Sequence, residues 1–262
     1  MSALLLALDG LSILRRVFQA AKDQPDLEKR ADEAVSASCR TFRRMLDTLA
    51  PSHVLTAFDA GGHTWRHDLY PRYRERREPM PEQLRARLPD MMVRLQAMGV
   101  HSVQIPEVEA DDVIATVVTR WFEKGYGQAI VAAMDKGLCQ LTAVGASIYH
   151  PFDKELRDAA WVEQKFGVPA ALLGDYLALV GGSADDVPGV PGIGSKKAAE
   201  LLRRYGSLAG VFAGAGILVD TVGRNLRKGK SDALLSRQLV ALKTDVVLGV
   251  TWKQLAYGPA QE

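Results

Sequence analysis

The chain has few cysteines. Its 262 residues include two, Cys39 and Cys139, which lie far apart and lack the spacing of metal ligands. A disulfide-stapled fold and a cysteine-rich zinc module are therefore excluded, and reduced thiols in a cytoplasmic protein are expected. Long hydrophobic runs are also missing. The apolar stretch near the start, Leu4 to Leu8, is short, lacks a basic lead-in and runs into Asp9. It reads as a buried strand rather than a signal or membrane segment, so no membrane partner is expected. There is little net charge, formally +2, so any nucleic-acid signal must be local. No internal repeat or low-complexity segment is seen. A Walker-type Gly-Lys-Ser/Thr loop and a cysteine phosphatase loop are both absent, which leaves an α/β kinase or phosphatase without support.

Hydrophobic residues make up 47% and charged residues 24%, the composition of an ordinary globular protein. Leu4–Leu8, Val54–Phe58, Val103–Ile105 and Ala129–Ala133 read as short apolar strands. Helical spacing covers Leu27–Leu49, closed by Pro51, and Ala110–Phe122. Alternating strands and helices predict a three-layer α/β core around a parallel sheet. After about Phe152 the strand pattern fades, and Trp161–Phe166, Ala170–Val180, Lys196–Tyr205 and Ser231–Leu242 read as helices. The expected division is an α/β core over 1–155 and a helical part over 156–262.

Asp9, Asp59 and Asp135 each follow an apolar strand. In an open parallel sheet the carboxyl ends of the strands line one crevice, where ligands bind. Glu109, Asp111 and Asp112 add acids at a helix start. Carboxylates are hard ligands suited to Mg²⁺ or Mn²⁺, and like charges gathered in one crevice call for a cation. A lone aspartate after a strand is more often a turn residue or helix cap, and first-turn acids also complement the helix dipole. Spacing alone leaves both readings open.

Pro188-Gly189-Val190-Pro191-Gly192-Ile193-Gly194 predicts a tight turn between two helices, the second opening with Ser195-Lys196-Lys197. Glycines let a phosphate approach the free N–H groups of a helix start, and two lysines there suit an anion better than the helix dipole. The alternative is a plain helical hairpin with a solvated end. Ser195 to Lys230 carries eight basic side chains against Glu200 and Asp220, a local +6 that would neutralise a phosphate backbone without reading its sequence. A second basic cluster (Arg66, Arg72, Arg74, Arg76, Arg77, Arg85, Arg87, Arg94) is interleaved with Tyr70 and Tyr73. Arginines grip phosphates and aromatics stack on bases, although Asp68, Glu75, Glu78, Glu82 and Asp90 make a solvated face an equal reading.

Together these residues resemble the structure-specific 5′-nuclease (flap endonuclease) family over roughly Leu4 to Asp245. Asp9-Gly10 with Arg15 and Arg16 looks like the family's opening motif. Phe58-Asp59-Ala60, then Thr64, Arg66, Tyr70, Tyr73, Arg74 and Arg77, looks like the approach to its helical arch, here near 64–97, with Arg74 where lysine is usual. Glu109-Ala110-Asp111-Asp112 and Asp135-Lys136 resemble its metal motifs, and Asp185 to Lys197 its helix-two-turn-helix. Asp135 to Leu141 is similar to the bacterial exonuclease IX branch (Xni-type flap endonucleases).

The resemblance implies a PIN-like or resolvase-like nuclease core, a stand-alone member, and Mg²⁺-dependent (or Mn²⁺-dependent) endonuclease action at the junction of 5′-flap DNA by a cytoplasmic monomer. It implies metal ligands at Asp9, Asp59, Glu109, Asp111, Asp112, Asp135 and Asp185. Arg66, Arg74 and Arg77 would act on the scissile phosphate. The carbonyls of Leu179, Val180, Pro188, Val190 and Ile193 would hold K⁺, and Gly192, Ile193, Gly194, Ser195, Lys196 and Lys197 would bind duplex. Two departures stand out. Gly137 and Gly182 occupy positions where the family carries acids of its second metal position. A branched-DNA binder that cleaves weakly or not at all is the alternative that this erosion leaves open.

Overall fold

The computed structural model describes residues 3–216 and 218–258. Six strands form one sheet: β1 (Ala3–Asp9), β2 (His53–Asp59), β3 (His101–Ile105), β4 (Gly127–Ala132), β5 (Ser147–His150) and β6 (Glu155–Arg157). Their order is β3-β2-β1-β4-β5-β6, and every pairing is parallel except β5 with β6. The two-residue period of a strand sends alternate side chains to opposite faces. Leu5 and Ala7 of β1 join Leu55 and Ala57 of β2 in one core, and Leu6 and Leu8 join Val54 and Phe58 in the other. Because both faces are covered, the strands read as continuous apolar runs.

The helices of the sheet part are α1 (Gly10–Ala20), α2 (Leu27–Leu49), α3 (Trp65–Leu69), α4 (Glu82–Ala86), α5 (Leu88–Ala97) and α6 (Ala110–Glu123). Asp26 caps α2 by accepting from the N–H groups of Glu28 and Lys29, and Ala50 ends it in a left-handed conformation ahead of Pro51. Its face of Ala34, Val35, Phe42, Met45 and Leu46 is buried. The segment expected to form a helical arch has a different build. Prolines at 71, 79, 81 and 89 interrupt it. What results is the short α3, a run of turns over 70–81, and α4 and α5 packed against α2.

Beyond β6 the chain is helical: α7 (Ala159–Phe166), α8 (Leu173–Val180), α9 (Ser195–Tyr205), α10 (Leu208–Ala215), α11 (Thr221–Lys228), α12 (Lys230–Leu239) and α13 (Trp252–Leu255). Leu173, Leu177, Leu202, Val211 and Leu226 share one core with Val117 of α6 and Val131 of β4, so the helical part is built onto the sheet part. Among the described residues no helix is long and apolar enough to cross a membrane.

Candidate active site

Three strand ends and one helix start meet at the carboxyl edge of the sheet. Asp9 closes β1 and caps α1, with Oδ1 accepting from the Ser12 N–H at 3.0 Å. Its neighbour must be small, because a Cβ on Gly10 would lie 2.5 Å from the Phe58 ring. Asp59 closes β2 and accepts from the Ala110 N–H at 2.7 Å, which ties it to the start of α6. Asp135 follows β4 and accepts from the Gly137 N–H at 2.6 Å. Asp111 comes from the first turn of α6. These four line one pocket of about 60 Å³ with Ser12, Arg15, Arg74 and Arg77.

The four carboxylates feel one another. Burial, helped by the charges of Asp59 and Asp135, pushes the Asp9 carboxyl up to about 6 from its ordinary 3.8, against the pull of the Ser12 hydrogen bonds. Burial, then the charges of Asp135, Asp9 and Asp59, raises Asp111 well above the ordinary range. As they stand, no three of the described acidic, histidine or cysteine side chains converge closely enough to enclose an ion. The chemistry of the set nevertheless fits a hard divalent cation. The donors are all carboxylate oxygens, and their mutual repulsion is what such an ion relieves.

Asp112, next in sequence to Asp111, is placed otherwise. It is wholly buried and saturated with donors. Arg66 Nη1 and Nη2 donate to its two oxygens at 2.8 and 2.9 Å, Trp65 Nε1 at 2.9 Å and the Lys243 N–H at 2.9 Å. Arg66 is held on its remaining sides by the carbonyls of Leu239 and Ala241, each at 2.8 Å, and is 3% exposed. Burial alone would lower its pKa, but the bonds to Asp112 and the charge of Glu109 raise it. Arg66 thus spends its donors on Asp112 and two carbonyls, and Asp112 is not among the residues that line the four-acid pocket. Both lock α3, α6 and the chain after α12 together.

Glu109 lies between these two environments. It is buried and accepts from Thr64 Oγ1 at 3.0 Å and Tyr73 Oη at 3.2 Å, with Arg66 Nη1 at 3.2 Å and Arg74 Nη2 at 2.9 Å. Arg74 bridges further, its Nε donating to Asp185 Oδ1 at 2.7 Å. Burial opposes its charge, but Glu109, Tyr73, Asp185 and Asp59 raise its pKa overall. Arg77 also reaches Asp185, at 3.4 Å. Gly137 and Gly182 line a cleft of about 70 Å³ with Asp111, Asp135 and Asp185, and a Cβ on Gly182 would meet nothing within 4 Å.

Ser12 was not read as a site residue, and Arg15 entered only with the opening motif and without a role. Their i, i+3 spacing behind Asp9 was the available signal, since it puts both on one face of α1. Arg15 lines the clefts on both sides of the 74–79 segment, and its guanidinium donates to the Glu78 carbonyl at 3.3 Å.

Between α8 and α9 the backbone doubles back on itself. Gly181 and Gly189 both have positive φ, and a Cβ on either would lie within 3 Å of the other's backbone. The carbonyls of Leu179 and Val190 each accept one N–H, from Val190 at 2.8 Å and Ile193 at 3.0 Å, and each keeps a second lone pair. Gly192, Gly194, Ser195 and Lys196 are exposed, Lys197 pairs with Glu200 at 2.6 Å, and the Ile193 side chain is buried as the anchor of the turn. Gly194 caps α9 without a side-chain bond to its N–H groups.

Comparison with known proteins agrees with this architecture. Residues 4–167 match the model for the N-terminal resolvase-like domain of 5′-3′ exonucleases, and residues 168–262 match that for their C-terminal SAM fold. The flap endonuclease Xni of Aeromonas hydrophila is 37% identical, across 98% of this chain and 97% of its own length. That of Shewanella amazonensis is also 37% identical, across 98% and 99%. Among solved structures, T5 5′-exonuclease with bound zinc superposes with a TM-score of 0.77 at 18% identity, covering 92% of this chain and 90% of its own, which shows a common fold. The two matched domains together span nearly the whole chain, which belongs to the 5′-3′ exonuclease family.

Proposed function

We propose that the chain is a Mg²⁺-dependent, structure-specific endonuclease that hydrolyses phosphodiesters at the junction of 5′-flap DNA. The observation that carries this reading is the pocket of Asp9, Asp59, Asp111 and Asp135, lined also by Arg15, Arg74 and Arg77. Those four acids hold the ion, with Glu109 beside them and Asp185 across the glycine-lined cleft. A bound Mg²⁺ supplies a Lewis acid and an activated water. Arg15 and Arg77 take the scissile phosphate, and Arg74 sets the position of Glu109 and Asp185. Asp112 and Arg66 hold the frame on which Asp111 and Glu109 sit.

The exposed start of α9, with Lys196, binds the duplex backbone through free N–H groups and charge. Carbonyls of Leu179, Val180, Pro188, Val190 and Ile193, in the doubled backbone beside it, suit a K⁺ ion. The two free thiols, Cys39 and Cys139, accord with a cytoplasmic location. We take the chain to act as a monomer.

The test is cleavage of a labelled 5′-flap duplex in Mg²⁺, beside Asp111→Ala. Loss of about 10³-fold or more in the variant is expected if Asp111 helps hold the ion. Tight binding with no cleavage by either protein would leave a branched-DNA binder instead. Run in K⁺ and then in Na⁺ at one ionic strength, the assay should show tighter flap binding in K⁺, and equal binding would remove K⁺ from the account.

A further inference from the structure

Besides Glu109 and Arg15, the turn-rich strap over 70–81 is fastened to the tip of a hairpin between α8 and α9. Gly182 and Val187 pair through both of their backbone N–H groups, at 3.0 and 2.9 Å, and close a four-residue loop, 183–186. Its last two residues are Asp185 and Asp186. The Arg74 N–H donates to the Asp185 carbonyl at 3.1 Å, and Arg74 Nε to the Asp185 carboxylate at 2.7 Å. The Arg76 N–H donates to Asp186 Oδ2 at 2.9 Å, and its guanidinium Nε to Asp186 Oδ1. Tyr73 packs with Val187 and Leu239 beneath.

Two features mark this as more than a surface ion pair. Asp186 is 8% exposed although it sits at a loop tip, and its acceptors are taken up by a segment 110 residues away. Arg74 and Asp186 both hold positive φ, 57° and 55°, a conformation that side-chain-bearing residues rarely adopt. Arg76 itself is 71% exposed, so its charge contributes little. The backbone N–H to buried carboxylate bond is the stronger tie.

We propose that Asp186, with Arg76, latches the strap to the α8–α9 hairpin, and that Asp186 is a positioning residue for Arg74 and Arg77. The base of that hairpin is the Gly181–Gly189 contact leading into α9. The segment read above as the duplex anchor and the strap over the acidic pocket are thereby one mechanical unit. The catalytic part of this inference rests on the nuclease reading; the latch itself does not.

The experiment combines amide hydrogen exchange with flap cleavage in Asp186→Gly, Asp186→Asn and Arg76→Ala. Glycine keeps the positive φ without strain but removes the carboxylate. Asparagine tolerates that φ and keeps an acceptor for the Arg76 N–H. Asp186→Gly should exchange the amides of Arg74 and Arg76 at least about tenfold faster and lower kcat by a similar factor, with plain-duplex affinity unchanged. Asp186→Asn should restore most of both. The surface change Arg76→Ala, which leaves the hairpin intact, should loosen the strap to a smaller degree. Wild-type exchange in Asp186→Gly would overturn the latch. Faster exchange with unchanged kcat would overturn the positioning role. Faster exchange with no cleavage even by the wild type would leave the latch standing and remove the nuclease reading.

Discussion

Asp111 and Asp112 are consecutive on one helix and face opposite environments. Asp111 looks into a pocket of like charges, where burial and three neighbouring aspartates raise its pKa. Asp112 looks into a cage of four donors, two of them from one arginine. Carboxylates whose mutual repulsion still raises their pKa favour a cation, whereas a saturated one has no capacity left. The difference shows how a run of acids divides its labour. One acid of the pair lines the pocket, and the other ties α6 to Trp65, Arg66 and Lys243.

The sharpest way to break this comparison is to remove each acid in turn and follow folding rather than activity. Asp112→Ala removes the bidentate partner of the buried Arg66 and leaves it Glu109 alone, which should cost about 3 kcal/mol of stability. Asp111→Ala removes repulsion, so its thermal midpoint without metal should equal or exceed that of the wild type. Equal losses in both variants would erase the distinction.

A second probe is pH. The folded pKa of Asp9 is raised, so between about pH 4 and 6 the native state holds a proton that the unfolded chain has lost. Stability without metal therefore falls as pH rises through that window. Asp9→Asn keeps the helix cap but does not titrate. At about 1.4 kcal/mol per pKa unit, the wild type should lose on the order of 3 kcal/mol relative to the variant from pH 4 to 7. A pH-independent difference would contradict the environment assigned to Asp9.

A smaller effect is expected from Gly182→Asp. A Cβ there meets no atom, so the cleft beside Asp185 should accept the new carboxylate without strain. Metal affinity should rise by about two- to fivefold, since one more charge is added near the ion. Gly137→Asp should gain less, because its Cβ would sit 3.2 Å from Asp135 Oδ1.

Much of the sheet part was legible in the sequence for plain reasons. Strands buried on both faces read as short apolar runs, and their ends were marked by aspartates that the parallel topology gathers at one edge. The helix Leu27–Leu49 kept both of its boundaries because Asp26 and Pro51 punctuate it. The helix Gly10–Ala20 went unread although Leu11, Leu14 and Phe18 carry its period.

Other features could not be read locally. Nothing near Arg66 separates it from Arg74 and Arg77; its cage comes from Asp112 and from carbonyls more than 170 residues away. Nothing beside Asp186 in the sequence points to Arg76, and only the fold brings the two together. Over 64–97 the prolines mark breaks but not where the pieces between them pack, and the fold docks α4 and α5 on α2.

The most direct measurement is Mn²⁺ titration of folded protein, followed by electron paramagnetic resonance, on the wild type, Asp111→Asn and Asp112→Asn. The wild type should bind, and Asp111→Asn, which removes a charged ligand, should lose at least about tenfold in affinity. Asp112→Asn, wherever it remains folded, should keep near-wild-type affinity. Unchanged Mn²⁺ affinity in Asp111→Asn would contradict binding of the ion in the four-carboxylate pocket.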